Sequence, residues 1–123
     1  MIIDSNPDLA IFALRLALGI VFLAHGPTKT IGSAEKAKGI GMSASMFWLV
    51  GMMETLGALS MVLGIRPDIG AILIIAVMLG AIYFKTQKWG KKFTGDGGWE
   101  LDFILIAAAL AVLLTGPTGF SIL

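Results

Sequence analysis

The chain has 123 residues, of which 57% are hydrophobic and 14% charged, and its formal net charge at pH 7 is +1. This composition is far more apolar than that of a soluble domain of the same length, so it indicates an integral membrane protein. The near-neutral charge, without a basic stripe interleaved with aromatic residues, gives no reason to expect nucleic-acid binding. The sequence contains no cysteine, so any redox role requires a bound cofactor or a partner subunit.

The first predicted membrane helix covers about residues 9–25 and ends at a Gly-Pro pair, which commonly terminates helices. Residues 1–8 carry two acids and no base, the wrong sign for the start of a secretory signal peptide, so we expect this helix to be retained. Arg15 is its only internal charge, and Gly19 one turn later is a predicted packing position. Arg15 either contacts the protein interior or extends to the membrane interface.

His25, at the end of this helix, is the only histidine in the sequence. A lone histidine is more often a hydrogen-bonded residue than a metal ligand. One histidine without cysteines is too few to predict a bis-histidine haem or a zinc site within one subunit. It stays a candidate for proton handling. Lys29 follows in a small, polar segment that indicates a loop, with a short interfacial helix near residues 33–38 as the alternative.

The second predicted membrane helix, about residues 45–63, carries Glu54 near the middle of an apolar run. A charge at the bilayer centre is costly, so Glu54 should face protein or a wet cavity and have a partner. Arg15 is the expected partner, because both residues lie near the midpoints of neighbouring antiparallel helices. This pair would either hold the bundle together or belong to a functional site. The small residues at helical spacing around Glu54 predict close helix packing and are Gly51, Gly57 and Ala58.

The third predicted membrane helix, about residues 69–84, is uncharged and carries Ala76 and Gly80 as predicted packing positions. Its far end, at Tyr83, continues into a basic and aromatic segment typical of anchoring at lipid headgroups. A funnel for an anionic substrate is the alternative interpretation of these lysines.

The fourth predicted membrane helix, about residues 99–115, opens with Trp99, Glu100 and Asp102. Carboxylates in a first helical turn are stabilised by the positive end of the helix dipole. Because the two acids point about 200° apart around the helix, we expect at least one to face inward.

Together these helices predict an all-α, four-helix antiparallel membrane bundle formed by a single domain over residues 1–123. Seven lysines lie in the first and third loops, whereas the opposite side carries only Arg66, so the positive-inside rule places both termini outside the cell membrane. The topology places the polar candidates together at one end of the bundle, which we call the mouth, and places Arg15 and Glu54 deeper inside the bundle. The candidates at this mouth are His25, Lys29, Tyr83, Trp99, Glu100 and Asp102.

Three segments of the sequence resemble the DoxX family of small membrane proteins. They are Arg15-Leu-Ala-Leu-Gly-Ile-Val-Phe-Leu-Ala-His-Gly-Pro-Thr-Lys29, Glu54-Thr-Leu-Gly-Ala-Leu-Ser-Met-Val-Leu-Gly64 and Gly98-Trp-Glu-Leu-Asp102. The resemblance implies a four-helix membrane fold with recurrent polar and glycine positions at Arg15, His25, Gly26, Lys29, Glu54 and Glu100. It also implies redox chemistry, because some relatives are quinone-linked thiosulfate-oxidising subunits or membrane anchors of oxidoreductase complexes. The C-terminal string Gly116-Pro-Thr-Gly-Phe-Ser-Ile-Leu123 lacks the arginine with which the family often ends.

Two functional hypotheses follow. In the first, the chain is a quinone-interacting membrane subunit of an oxidoreductase, in which Glu54 and Glu100 move protons, Arg15 sets their acidity, and His25 or Tyr83 contacts a quinone carbonyl. In the second, it is a non-enzymatic membrane anchor, or a carrier or binding protein for lipid or a small solute. No catalytic motif indicates self-contained catalysis. The expected ligands are quinone or lipid, held non-covalently, and the expected partners are the bilayer, a soluble redox subunit and further copies of the chain.

Overall fold

The computed structural model describes residues 6–31 and 33–115, and within these ranges the chain forms helices and no strands. This confirms the all-α prediction. A π-helical turn at Phe84–Lys88 directly follows the helix Pro67–Tyr83. The five α-helices are α1 (Pro7–Thr30), α2 (Ser33–Ile40), α3 (Ala44–Leu63), α4 (Pro67–Tyr83) and α5 (Glu100–Thr115).

Three helical segments in the described part of the chain are long and apolar enough to cross a membrane: Pro7–Thr30, Ala44–Leu63 and Pro67–Lys88. Exposed large apolar side chains lie on all three segments, as expected of helices that span a bilayer. The described α5 has 16 residues, or about 24 Å at 1.5 Å per residue. Because this is shorter than a hydrocarbon core of about 30 Å, the fourth crossing stays a prediction.

The prediction that the first helix ends at His25 is wrong, because α1 continues through Pro27 to Thr30. Proline has no N–H, so its presence removes one bond of the helical ladder. Hydroxyl groups in the following turn strengthen the segment: Thr28 Oγ1 donates to the His25 carbonyl at 2.8 Å, and Thr30 Oγ1 donates to the Pro27 carbonyl at 2.7 Å. The helix therefore gains a final turn that carries Lys29.

The close crossing of α1 and α3 also supports this extension. A Cβ atom built on Gly51 would lie 2.8 Å from the Gly26 carbonyl oxygen, and one on Gly26 would lie 2.5 Å from Thr55 Oγ1. Further along the same pair of helices, a Cβ on Gly19 would overlap Val62 Cγ2. Only glycine allows the two backbones to approach this closely.

The remaining helices pack around this pair. In the contact between α3 and α4, a Cβ on Gly57 would lie 3.2 Å from the Gly70 carbonyl oxygen, and Ala58 is fully buried. α2 packs against α3, so the short-helix alternative for the first loop is the observed one. The apolar core between the long helices includes Leu18, Phe22, Met61, Ala71, Ile74 and Ala109.

Candidate functional site

Glu54 is fully buried on α3, and its carboxylate is paired with Lys29 of α1. Lys29 Nζ donates to Glu54 Oε1 at 2.5 Å. The second carboxylate oxygen, Oε2, is buried and has no hydrogen-bond partner among the described residues. The expectation that Glu54 faces the protein interior with a cationic partner is therefore correct, but the partner is a lysine.

Arg15 lies elsewhere in the bundle, so the predicted Arg15–Glu54 pair is wrong. Its Nε donates to the Met61 carbonyl oxygen at 3.0 Å, and its guanidinium carbon lies 5.4 Å from the centre of the Phe12 ring. Arg15 is fully buried, as the interior interpretation required. It precedes Lys29 by fourteen residues, or about 21 Å of helix, and therefore lies at a different membrane depth from Glu54.

A second lysine–carboxylate pair joins the π-helical turn to the start of α5. Lys85 Nζ lies 2.7 Å from Asp102 Oδ2 and also donates to the Gly98 carbonyl oxygen at 3.3 Å. Asp102 is buried, whereas Glu100, two residues earlier, is exposed. The expectation that at least one of these two acids faces inward is met by Asp102.

Both pairs line one cavity of about 500 Å³ between the helices. Its wall is otherwise mainly apolar and includes His25, which precedes Lys29 by one turn of α1. Ala76 and Gly80 also line it; within the described part of the chain, a Cβ on Gly80 would meet no atom within 4 Å, so this glycine borders space. The aromatic and methionine side chains of the wall are Phe22, Met42, Met46, Phe47, Met53, Met78, Phe84 and Trp89.

The other candidates at the predicted mouth lie outside this wall. Tyr83 is 54% exposed and packs edge-on against Phe84. Trp99 packs edge-on against Phe93 with ring centres 4.6 Å apart. Glu100 contributes its backbone N–H to the Phe93 carbonyl oxygen at 3.0 Å. The structure thus brings together His25, Lys29, Glu54 and Asp102 of the predicted set.

Sequence reasoning missed Lys85 and the methionine side chains. Lys85 belongs to a basic segment that was interpreted as a lipid anchor, but it turns inward on the π-helical turn. The signal that could have identified it was Asp102, an acid expected to face inward and therefore in need of a cation. The four methionines of the wall come from a loop and two helices, so no single periodic pattern indicates them.

These features define a helical membrane protein whose bundle encloses an apolar cavity with two lysine–carboxylate pairs at its wall. The chain belongs to the DoxX family, whose sequence model matches residues 10–87. It is similar to a protein of Bacillus subtilis (strain 168) named "Putative oxidoreductase CatD", with 27% identity over 116 residues, 92% of this chain and 84% of the relative. No solved structure matches the chain. The predicted resemblance to the DoxX family is thereby confirmed, whereas the predicted C-terminal difference lies outside the described residues.

Proposed function

We propose that this protein is a membrane subunit of an oxidoreductase system and that it binds a quinone in the cavity between Lys29–Glu54 and Lys85–Asp102. The observation that carries the proposal is the combination of a buried, partly unsatisfied carboxylate with an apolar cavity of about 500 Å³. Ligand sites commonly have this size and this mixture of apolar wall and few polar groups. The oxidoreductase name of the Bacillus subtilis relative supports the redox assignment.

The residues of the wall fit the chemistry of a quinone. Methionine side chains and aromatic rings offer adaptable, polarizable contacts to a flat ring. The ammonium groups of Lys29 and Lys85 are hydrogen-bond donors suited to carbonyl oxygens. His25 is a further polar group at the wall. A bound quinone would supply two-electron, two-proton chemistry, which the side chains of this chain lack.

The roles of the chain's own residues follow from their positions. Lys29 orients a ligand oxygen from α1, and Glu54 balances its charge and holds or releases a proton at the carboxylate. Asp102, and not Glu100, is the second acid–base residue, because Asp102 lines the cavity and Glu100 does not. Arg15 is too far along α1 to set the acidity of Glu54. Electrons enter from a partner subunit in this scheme.

The test combines native mass spectrometry with quinone extraction from protein purified out of its own membranes in mild detergent. We expect the wild type to retain about one quinone per chain, since one cavity would hold one ring. Gly80→Leu should fill the cavity and lose most of this quinone while keeping the fold, because its Cβ has open space.

Gly39→Leu is the matched control, because Gly39 is equally open on α2 but lies outside the cavity wall. It should retain the wild-type amount of quinone. Wild-type protein that carries only lipid and fails to bind added duroquinone would overturn the proposal. That result would favour the alternative of an anchor or a lipid-binding protein.

A further inference from the structure

Glu54 Oε2 is a buried hydrogen-bond acceptor that no described residue satisfies. The side chain of Glu54 is only 1% exposed. Buried polar groups in native proteins are nearly always hydrogen-bonded, and an unsatisfied one is costly. Glu54 lines a ligand-sized cavity, so its unsatisfied oxygen indicates which group a ligand must bring.

The missing group must be a hydrogen-bond donor. Lys29 already occupies Oε1 and balances the carboxylate charge. An ionised carboxylate offers only acceptor sites, so a second acceptor placed against it is repelled. A quinone carbonyl is such an acceptor, whereas the hydroxyl of the corresponding hydroquinone donates.

We infer that Glu54 makes this site selective for the reduced, hydroxyl-bearing form of its ring ligand. The inference rests on the proposed function and adds which form the cavity holds. The terminal torsion of a glutamate is soft and roughly two-fold, so a small rotation turns Oε2 towards the cavity without leaving a rotamer well. Lys29, His25 and Asp102 share the cavity wall with Glu54. Among these four side chains, only the two carboxylates, when ionised, offer acceptors and no donor.

Selective binding has a consequence for the redox couple. A ligand form that binds more tightly is stabilised at the site, so preference for the hydroquinone raises the reduction potential of the bound couple. For a two-electron couple, a tenfold preference corresponds to about 30 mV. The bound ring would then be a better electron acceptor than the same ring free in the membrane.

The experiment measures binding of three matched probes to wild-type protein in lipid nanodiscs under anaerobic conditions. The probes are duroquinone, durohydroquinone and the dimethyl ether of durohydroquinone, which share one ring. A charge-assisted hydrogen bond should make durohydroquinone bind about tenfold more tightly than duroquinone. The ether, which keeps the ring but loses both donors, should bind no better than duroquinone.

Glu54→Gln sharpens the test, because Lys29 would keep the amide oxygen and leave the NH₂ group at the position of Oε2. The preference should then disappear or reverse in favour of duroquinone. Glu100→Gln is the matched control, since Glu100 is exposed and outside the cavity wall, and it should keep the wild-type preference.

The outcomes separate this inference from the proposed function. Equal wild-type affinities for duroquinone and durohydroquinone would overturn the inference and leave quinone binding intact. Binding of none of the three probes would overturn both. Tighter binding of durohydroquinone with loss of preference in Glu54→Gln would support both.

Discussion

Lys29 and Glu54 meet at 2.5 Å between α1 and α3 because α1 remains helical past Pro27. Without that final turn, the carboxylate of Glu54 would lose Lys29 as its ion-pair partner. The crossing at Gly26 and Gly51 brings the two backbones close enough for a lysine to reach. Helix continuation, close packing and charge pairing are thus parts of one arrangement.

The first prediction concerns the energy of this pair. Lys29→Met leaves a buried, uncompensated carboxylate, and we expect the free energy of unfolding to fall by about 3 kcal/mol. Glu54→Gln alone should cost less, because its amide still accepts from Lys29. The double variant Lys29→Met/Glu54→Gln should recover much of the loss, because no buried charge remains.

Unfolding in mixed micelles, followed as a double-mutant cycle, measures the coupling between the two side chains. Lys38→Met is the control, since Lys38 is exposed on α2 and should change stability by less than about 0.5 kcal/mol. Strictly additive effects of the two cavity substitutions would contradict the pairing.

The second prediction concerns the crossing of α1 and α3. Gly51→Ala places a methyl group 2.8 Å from the Gly26 carbonyl oxygen and equally close to Lys29 Cβ. The Gly26 carbonyl belongs to the backbone of α1 and Lys29 Cβ is attached directly to it, so neither can yield cheaply. We therefore expect a loss of about 1–3 kcal/mol and a weaker Lys29–Glu54 contact. The same unfolding assay measures the loss.

Gly80→Ala and Gly39→Ala are the controls for this crossing, because a Cβ at either position meets no described atom within 4 Å. Alanine has a higher helix propensity than glycine, so both should be neutral or stabilising by up to about 1 kcal/mol. A Gly51→Ala protein as stable as these controls would show that the helices do not cross this closely.

Much of the fold could be predicted from the sequence, because long apolar runs separated by polar turns are typical of membrane-spanning helices. The three spanning segments begin and end within a few residues of their predicted limits, with the exception of α1 at Pro27. A proline is normally a good stop signal, but in an apolar setting the unbroken helix satisfies more backbone groups than a loop would. Because the predicted helix ends before Pro27, the sequence places Lys29 in a loop, whereas it lies on α1 within the bundle.

The candidate site was predicted only in part, because it depends on the register between helices and on a local π-helical turn. The inward orientation of Glu54 follows from the cost of a buried charge, whereas its partner depends on the register between two helices. Arg15 and Lys29 lie on the same helix, and the register of the packing between α1 and α3 determines which of them reaches Glu54. The position of Lys85 depends on a π-helical turn that local sequence does not indicate.

The third prediction separates stability from ligand binding at Arg15. Arg15→Lys keeps a positive charge but loses the Nε donor to the Met61 carbonyl oxygen at 3.0 Å. We expect a loss of about 1–3 kcal/mol in unfolding free energy, as for other buried groups left without a partner. The affinity for durohydroquinone should stay within twofold of wild type, because Arg15 lies outside the cavity wall. A large loss of affinity in a folded Arg15→Lys protein would contradict the separation of Arg15 from the site.

The fourth prediction concerns how the bundle sits in the membrane. Because the sequence has no cysteine, single cysteines can be placed without removing any, and labelling by a membrane-impermeant maleimide reports the side of each. We expect Lys38→Cys and Lys91→Cys to be protected in intact cells, since the positive-inside rule places the lysine-rich loops in the cytoplasm.

Arg66→Cys, Asp8→Cys and Thr115→Cys should react from outside, and all five positions are exposed, so accessibility within the protein does not limit labelling. Thr115 carries the most information, because it also tests whether α5 completes the fourth crossing. Protection of Thr115→Cys together with labelling of Arg66→Cys would mean that α5 returns on the cytoplasmic side. Lys29 and Lys85 lie next to the lysine-rich loops and would be on the cytoplasmic side in either case, so an electron-donating partner subunit would be sought there.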